Sequence, residues 1–232
     1  MRFLISPEIF ELFPGVHIGL VQAFGLDNRG ENGEVAQTLK EKEQDIRLRY
    51  KSETLSQLPR IAAWRQAYSL FGAKPKKYKS SVENLYKNIL KGKTLRHINL
   101  LVDIYNFISL KHMIPSGGDD TEKVEGCIHL TIAEGGEIFQ PLNATETQTV
   151  EKGEVVYRDD RDILCRRWNW REAEKTKLTE KTREALLVVE GLPPAGYNDV
   201  VAASEDLSRM IQKYCRGKTR TAVLNISRTY YE

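Results

Sequence analysis

Positive charge is concentrated in one stretch of the sequence, between residues 74 and 96. Eight lysines and arginines there are opposed only by Glu83, and Tyr78 and Tyr86 lie among them. Lysine and arginine neutralise phosphates and aromatic rings stack on bases, so the stretch could bind nucleic acid. The alternative is a solvated helix face with an adjoining loop. The residues expected to contact phosphates are Lys74, Lys76, Lys77, Lys79, Lys91 and Lys93.

A second unusual segment runs from Cys165 to Arg171. Its seven residues include three arginines and two tryptophans. The guanidinium group offers a planar fork for phosphate or carboxylate, and the indole ring offers a stacking face. The alternative is a structural cluster in which the arginines stack on the tryptophans. No histidine lies near Cys165 in the sequence, so nothing supports a nucleophilic role for its thiol. The candidate binding residues are Arg166, Trp168, Asn169 and Arg171.

Acidic residues occur at two further positions where they could hold a ligand. The segment 115–120, Pro-Ser-Gly-Gly-Asp-Asp, predicts a loop whose glycines let backbone amides approach a ligand. Ser116, Asp119 and Asp120 could hold a hydroxyl or an ammonium group there. Glu190 ends an apolar run and could point into a site, where it would bind the α-amino group of an amino acid. The alternatives are an ordinary turn and an ordinary strand-end charge.

These candidates must be positioned by helices in the first half of the chain and mostly by strands in the second. Apolar spacing and capping residues predict a strand at 16–23 and helices at 34–50, 59–72, 80–92 and 98–112. Later strands are predicted at 127–133, 155–158, 163–166, 185–189 and 221–226, with a hairpin return at 138–139 and a helix at 200–215. This order favours an α+β fold with a mixed or antiparallel sheet, in a single domain over residues 1–232.

Composition excludes several classes of protein. Of the 232 residues, 41% are hydrophobic and 29% charged, which is typical of globular and not of disordered chains. No apolar run approaches the ~20 residues of a membrane span, and the N-terminal apolar stretch is too short for a signal peptide, so we expect a cytoplasmic protein without a membrane partner. Three separated cysteines predict buried free thiols, and four histidines lack zinc spacing. We therefore expect neither a metal nor a cofactor.

Several motifs in the middle of the chain occur in the order found in one known family. The run Arg96–Ile108, followed by Pro115 and Asp120, resembles the tRNA-binding and editing module of the phenylalanyl-tRNA synthetase β chain. In that module an arginine precedes a Val-Asp-x-x-Asn-Tyr helix and a Gln-Pro-Leu-His-Ala-Phe-Asp loop. Residues 182–190 resemble its Thr-x-x-Val-Leu-Leu-Glu strand. Further similar segments are Gly126–Leu130, Ala133–Glu137 and Pro141-Leu142.

The resemblance implies the fold of that module and a pocket that holds a wrongly attached amino acid on tRNA. Water would hydrolyse the ester there without a protein nucleophile, in a free-standing deacylase that acts in trans on aminoacylated tRNA. The family's loop histidine falls on Gly117, which suggests a different amino acid or a non-catalytic module that binds tRNA or an amino acid. The implied amino-acid pocket comprises Arg96, Asn106, Pro115, Ser116, Asp120 and Glu190, and the acceptor end would contact Arg166, Trp168, Asn169 and Arg171. No catalytic group and no protein partner is identified.

Overall fold

The computed structural model describes residues 1–232. Six α-helices are present: α1 (Pro7–Leu12), α2 (Gly33–Arg49), α3 (Pro59–Leu70), α4 (Ser81–Leu90), α5 (Leu100–His112) and α6 (Tyr197–Tyr214). Twelve strands accompany them: β1 (Arg2–Ile5), β2 (His17–Phe24), β3 (Ser116–Asp120), β4 (Cys127–Ile132), β5 (Ile138–Phe139), β6 (Gln148–Thr149), β7 (Val155–Arg158), β8 (Ile163–Arg166), β9 (Arg171–Glu172), β10 (Glu184–Gly191), β11 (Lys218–Leu224) and β12 (Tyr230–Tyr231). None of the helices is both long and apolar enough to cross a bilayer.

The strands form two main sheets and one short pair. The larger sheet has the order β12-β1-β4-β7-β8-β9, and the smaller has the order β11-β2-β10-β3. Strands β1 and β4 run parallel, whereas all other pairs in the two sheets are antiparallel. The expected α+β class with mixed and antiparallel sheets is confirmed.

Strand β10 is central in the smaller sheet, as its apolar run predicts. Leu186 and Leu187 are fully or almost fully buried, and the strand pairs with β2 on one edge and β3 on the other. The backbone N–H of Glu190 donates to the carbonyl of Pro115 at 3.0 Å, so this pairing continues to the end of the strand. Glu190 is therefore held by a ladder of hydrogen bonds and not by a flexible loop.

The four helices expected in the first half are present, with ends within two residues of the prediction. Local capping explains this agreement. The side-chain oxygen of Ser80 accepts a hydrogen bond from the N–H of Glu83 at 3.4 Å, and that of Asn99 accepts from the N–H of Val102 at 3.1 Å. Such caps satisfy backbone donors that the first helical turn leaves unpaired.

Two predicted connections are wrong. Residues 115–120 are not a loop, because 116–120 pair with β10 along its length as the edge strand β3. Strand β5 does not return along β4 but pairs with β6, and β4 instead lies between β1 and β7. The sequence prediction also omitted α1 and the strands β1, β6, β9 and β12. Strand β1 forms by pairing with β4 and β12, which lie far away in the sequence, and local patterns do not report such contacts.

Gly118 shows why β3 needs glycine. A methyl group built on its Cα would lie 2.8 Å from the carbonyl oxygen of Leu186 and closer still to the side chain of Leu187. We expect Gly118→Ala to reduce the free energy of unfolding by about 1–3 kcal/mol, the usual cost of overpacking. Urea denaturation followed by circular dichroism measures this change. Gly33→Ala is the matched control, because Gly33 has open space around it, and equal stabilities for the two variants would contradict the prediction.

Candidate functional site

Three adjoining hollows share residues of β3. The largest, here called the chamber, has a volume of about 660 Å³ and lies between α5 and the segment 172–181. The second, the cleft, has a volume of about 280 Å³ and is bounded by α4, α5 and β9. The third, the recess, shares residues with both and measures about 20 Å³, which is room for about one water molecule. The chamber alone is as large as ordinary small-molecule sites, roughly 300–1,000 Å³.

Glu190 lies in the recess with its carboxylate fully paired. The hydroxyl of Tyr157 donates to Oε1 at 2.5 Å, and the side-chain amide of Asn169 donates to Oε2 at 2.7 Å. Only 1% of the Glu190 surface is exposed, and this burial raises its pKa to about 7, against the opposing effect of the hydrogen bonds. Glu190 therefore changes charge near neutral pH.

Asn169 connects Glu190 to the helices. Its Oδ1 accepts hydrogen bonds from the Tyr68 hydroxyl at 3.0 Å and from the backbone N–H of Ser81 at 3.3 Å. The preceding residues, Arg167 and Trp168, have φ angles of 47° and 65°. These angles lie in the left-handed region, which residues other than glycine rarely adopt. Such strain persists only where surrounding contacts hold it. The β8–β9 turn is thus held in the conformation that aims Asn169 at the carboxylate.

Two more carboxyl groups line the recess with Glu190. Asp119 accepts a hydrogen bond from the hydroxyl of Thr176 at 2.5 Å, and burial raises its pKa to about 7. Glu172 lines all three hollows, and its pKa is raised well above the usual range by burial and then by the negative charges of Asp119 and Glu190. We call Asp119, Glu172 and Glu190 the acidic wall. None of the three forms an ion pair within the protein, so their negative charge can attract a ligand cation, which would meet Glu172 in the chamber or the cleft.

Cationic residues also line the cleft. Lys77, Lys79 and Arg171 lie along it, and Lys77 and Arg171 are exposed. The arrangement places negative charge inside and positive charge at the mouth. An aminoacyl group attached to a phosphate-bearing strand has the complementary pattern, with an ammonium group at one end and phosphates at the other.

Seven of the binding candidates predicted from the sequence line these hollows. Asn106 and Arg171 line the cleft, Trp168 and Glu190 line the recess, Ser116 and Asn169 line both, and Asp119 lines the recess and the chamber. Two of the predicted RNA contacts, Lys77 and Lys79, also line the cleft. These residues come from α5, β3, β9 and β10, from the loop before α4 and from the turn before β9. The fold therefore brings together residues that are far apart in the sequence.

Asp120 and Glu190 do not share a hollow, contrary to the expectation. Asp120 pairs with Ala185 in the sheet, five residues from Glu190, which corresponds to roughly 16 Å along a strand. Its carboxylate accepts a hydrogen bond from the Thr182 hydroxyl at 2.7 Å. Successive strand residues face opposite sides, so Asp119 enters the site where Asp120 was expected. Arg96 is exposed and, like Pro115, lines none of the three hollows.

Arg166 has a structural role, but it pairs with a glutamate and does not stack on a tryptophan as the alternative predicted. It is buried, and its guanidinium donates to Glu154 at 3.0 Å. Arg167 also pairs with Glu154, at 2.8 Å, and lies 3.9 Å from the ring centre of Tyr78. Arg166 is therefore occupied by a buried ion pair and does not line the cleft.

The remaining predicted lysines do not line the cleft. Lys91 and Lys93 follow the C-terminal end of α4, whereas Ser81 at its start lines the cleft. Ten helical residues separate the two ends by about 15 Å. Lys74 and Lys76 lie along outer surface hollows.

Tyr157 and Glu172 belong to the site but were not identified from the sequence. Glu172 directly follows Arg171, so the unusual segment 165–171 ended one residue too early. Tyr157 lies within a predicted strand, but nothing local shows that its hydroxyl meets Glu190. Cys165 lines the recess, and burial raises the pKa of its thiol well above the usual range, so it is not a thiolate at neutral pH.

Comparison with known proteins gives the family. A family model described as the B3/4 domain matches residues 63–217. A similar solved structure is an N-terminal fragment of the phenylalanyl-tRNA synthetase β-subunit from Pyrococcus horikoshii, with 15% identity and a TM-score of 0.48. The match covers 94% of this chain and 50% of that fragment, so the chain spans about half of its length. No match was found among curated proteins. Because the family model covers more than half of the chain, the protein belongs to the B3/4 domain family, which is found in the phenylalanyl-tRNA synthetase β chain.

Proposed function

We propose that this protein hydrolyses the ester bond of a mis-aminoacylated tRNA, acting in trans. The observation that carries the proposal is the acidic wall, three carboxyl groups without an internal cation, set behind the cationic mouth of the cleft. Membership of a family found in a tRNA synthetase chain supports tRNA as the partner. Such a role would place the protein in the cytoplasm.

The acidic wall would bind the α-ammonium group of the amino acid. Burial raises the pKa values of Asp119 and Glu190 to about 7, and an adjacent ammonium would favour their charged forms. The chamber would receive the amino-acid side chain, because it adjoins the wall and contains apolar residues such as Val102, Leu142 and Leu178. Lys77, Lys79 and Arg171 would hold phosphates near the 3′ end.

Hydrolysis then needs little further chemistry from the protein. A water molecule adds to the ester carbonyl, the tetrahedral intermediate collapses, and the ribose hydroxyl of tRNA leaves with a proton. The C–O ester bond is replaced by a carboxylate and an alcohol, and the second proton of the water is released to solvent, without any covalent enzyme intermediate. Fixing the ester beside aligned dipoles provides the rate enhancement through positioning and electrostatic stabilisation. Asn106 and Ser116 lie in the cleft where they could orient the ester.

A panel of mischarged tRNAs tests the proposal. We expect the purified protein to shorten the half-life of at least one mischarged tRNA relative to a heat-inactivated sample, measured by release of labelled amino acid. A correctly charged tRNA serves as the specificity control. Absence of hydrolysis across a panel covering every amino acid would rule out the deacylase.

A non-catalytic module that binds tRNA or a free amino acid is the second candidate. The observation that favours it is Gly117, which stands where the related module has a histidine. A methyl group built on Gly117 would lie 3.1 Å from the carboxylate of Glu172. The space beside Gly117 is therefore occupied by the Glu172 carboxylate, and no imidazole is available there. Tight tRNA binding with an unchanged aminoacyl half-life would favour this candidate.

A further inference from the structure

A second cationic hollow lies on the outer surface beside the cleft. Its volume is about 220 Å³, below the roughly 300–1,000 Å³ of small-molecule sites, so it suits one small group. Four separate segments build it: the turn before α3, helix α3, the loop before α4, and helix α4. The residues used in the argument are Ser52, Ser56, Arg65, Lys76, Lys79 and Lys87.

This hollow has an excess of positive charge. Arg65 pairs with the buried Glu83 at 2.7 Å, which leaves Lys76, Lys79 and Lys87 without a carboxylate partner. Burial lowers the pKa of Lys79, and the positive charges of Lys87 and Arg65 lower it further. Like charges held this close repel one another, and a bound anion would remove the repulsion. The cluster thus favours an anion over a neutral ligand.

The neutral donors on the opposite side fit a tetrahedral anion. Ser52 and Ser56 line the hollow with exposed side chains, and their hydroxyl groups can donate to a phosphate oxygen. Arg65 and the lysines supply the charged donors. Arg65 and the two serines lie outside the basic stretch 74–96, so only the folded chain unites them with the lysines.

We propose that this hollow, the anion pocket, binds a single backbone phosphate of RNA. Lys79 lines both the anion pocket and the cleft, so the two sites adjoin through one side chain. A strand whose 3′ end enters the cleft would pass the anion pocket with its preceding phosphates. The assignment to RNA rests on the proposed function, whereas the assignment to a phosphate rests on the charges and hydroxyl groups alone.

The test uses uncharged tRNA, so that it does not depend on hydrolysis. The binding constant of the full chain is measured against salt concentration for the wild type and for Lys87→Gln. Each phosphate contact contributes about 0.7 to the slope of log K against log salt for a single strand, such as the 3′ end of tRNA, and about 0.9 for duplex DNA. Because the anion pocket holds one phosphate, we expect Lys76→Gln/Lys87→Gln to lower the slope by at most about this amount and Lys87→Gln alone by part of it.

The matched control is Lys218→Gln, which removes an exposed lysine on β11 that lies outside the anion pocket. Equal slopes for Lys87→Gln, Lys218→Gln and the wild type, with equal melting temperatures, would overturn the proposal. If inorganic phosphate raises the melting temperature of the wild type but not of Lys87→Gln while the tRNA slopes stay equal, the RNA assignment is overturned. If the slope falls but no mischarged tRNA is hydrolysed, the anion pocket stands and the deacylase does not.

Discussion

Replacing Glu190 with glutamine is expected to slow deacylation at least tenfold at pH 8. The variant keeps the size of the side chain but removes the charge that would hold the substrate ammonium. Tenfold corresponds to ~1.4 kcal/mol of transition-state binding. A glutamine can still donate to the Tyr157 oxygen and accept from the Asn169 amide, so the recess stays intact. Steady-state hydrolysis of the mischarged tRNA found in the panel measures the effect.

The pH dependence separates this role from a structural one. The pKa of Glu190 is raised from 4.5 to about 7, so the wild-type rate should fall as the pH drops through 7. The glutamine variant should keep only the weaker dependence that Asp119 contributes, because the pKa of Asp119 is also about 7. Because the pKa of Glu190 is raised in the folded state, ionisation of its carboxyl group opposes folding. The protonated carboxyl group contributes roughly 3 kcal/mol to the free energy of unfolding below pH 4.5, and this contribution is lost as the pH rises through 7. The variant should therefore be at least as stable as the wild type at pH 8.

Two results would contradict this assignment. If Glu190→Gln hydrolyses the mischarged tRNA at the wild-type rate, Glu190 does not take part in substrate binding. If Glu205→Gln loses as much activity as Glu190→Gln, the loss is not specific to Glu190. Glu205 is a suitable control because it is an exposed carboxylate on α6 that lines none of the three hollows.

Replacing Trp168 with alanine is expected to cost about 3–5 kcal/mol of the free energy of unfolding, the range found for large aromatic truncations. The ring is fully buried, with its centre 4.8 Å from that of Phe13 and 4.9 Å from that of Trp64. Alanine would have to adopt the same φ of 65°, so the backbone strain changes little and the loss measures packing. Urea denaturation gives the difference from the midpoint and slope.

Trp170→Ala is the matched control for this measurement. Trp170 lies two residues away, is only partly buried, and contacts Tyr78 and the guanidinium of Arg167 near the surface. We expect this variant to lose no more than about half as much stability, because less of the apolar surface of Trp170 is buried on folding. Equal losses for the two tryptophans would show that Trp168 does not anchor the turn between β8 and β9.

Local sequence signals predicted the helices well. The caps at Ser80 and Asn99 and the spacing of apolar residues act over three or four positions, which a sequence displays directly. They predicted 115–120 poorly. Two glycines and two aspartates have low strand propensity, and the segment is a strand only because β10 pairs with it.

The site residues likewise fall into those that local sequence patterns identified and those that only the folded chain revealed. Glu190 was identified because an apolar strand ends beside it, and Arg171 because arginines and tryptophans cluster in its segment. The choice between Asp119 and Asp120 depended on which face of β3 meets the site, and the sequence pattern did not distinguish the two. Arg166 was assigned wrongly because its partner, Glu154, directly precedes the neighbouring strand β7 and is not close to Arg166 in the sequence.

By itself, the sequence determined the α+β class, most helices, the central strand that carries Glu190, and the resemblance to the synthetase module. Those properties follow from short-range periodicity, capping and motif order. Only the tertiary structure decided that Glu190 meets Tyr157 and Asn169, that Asp119 and Glu172 complete the acidic wall, and that Arg65 joins three lysines in the anion pocket. These groups are brought together by strand register and helix packing, which depend on contacts between residues far apart in the chain.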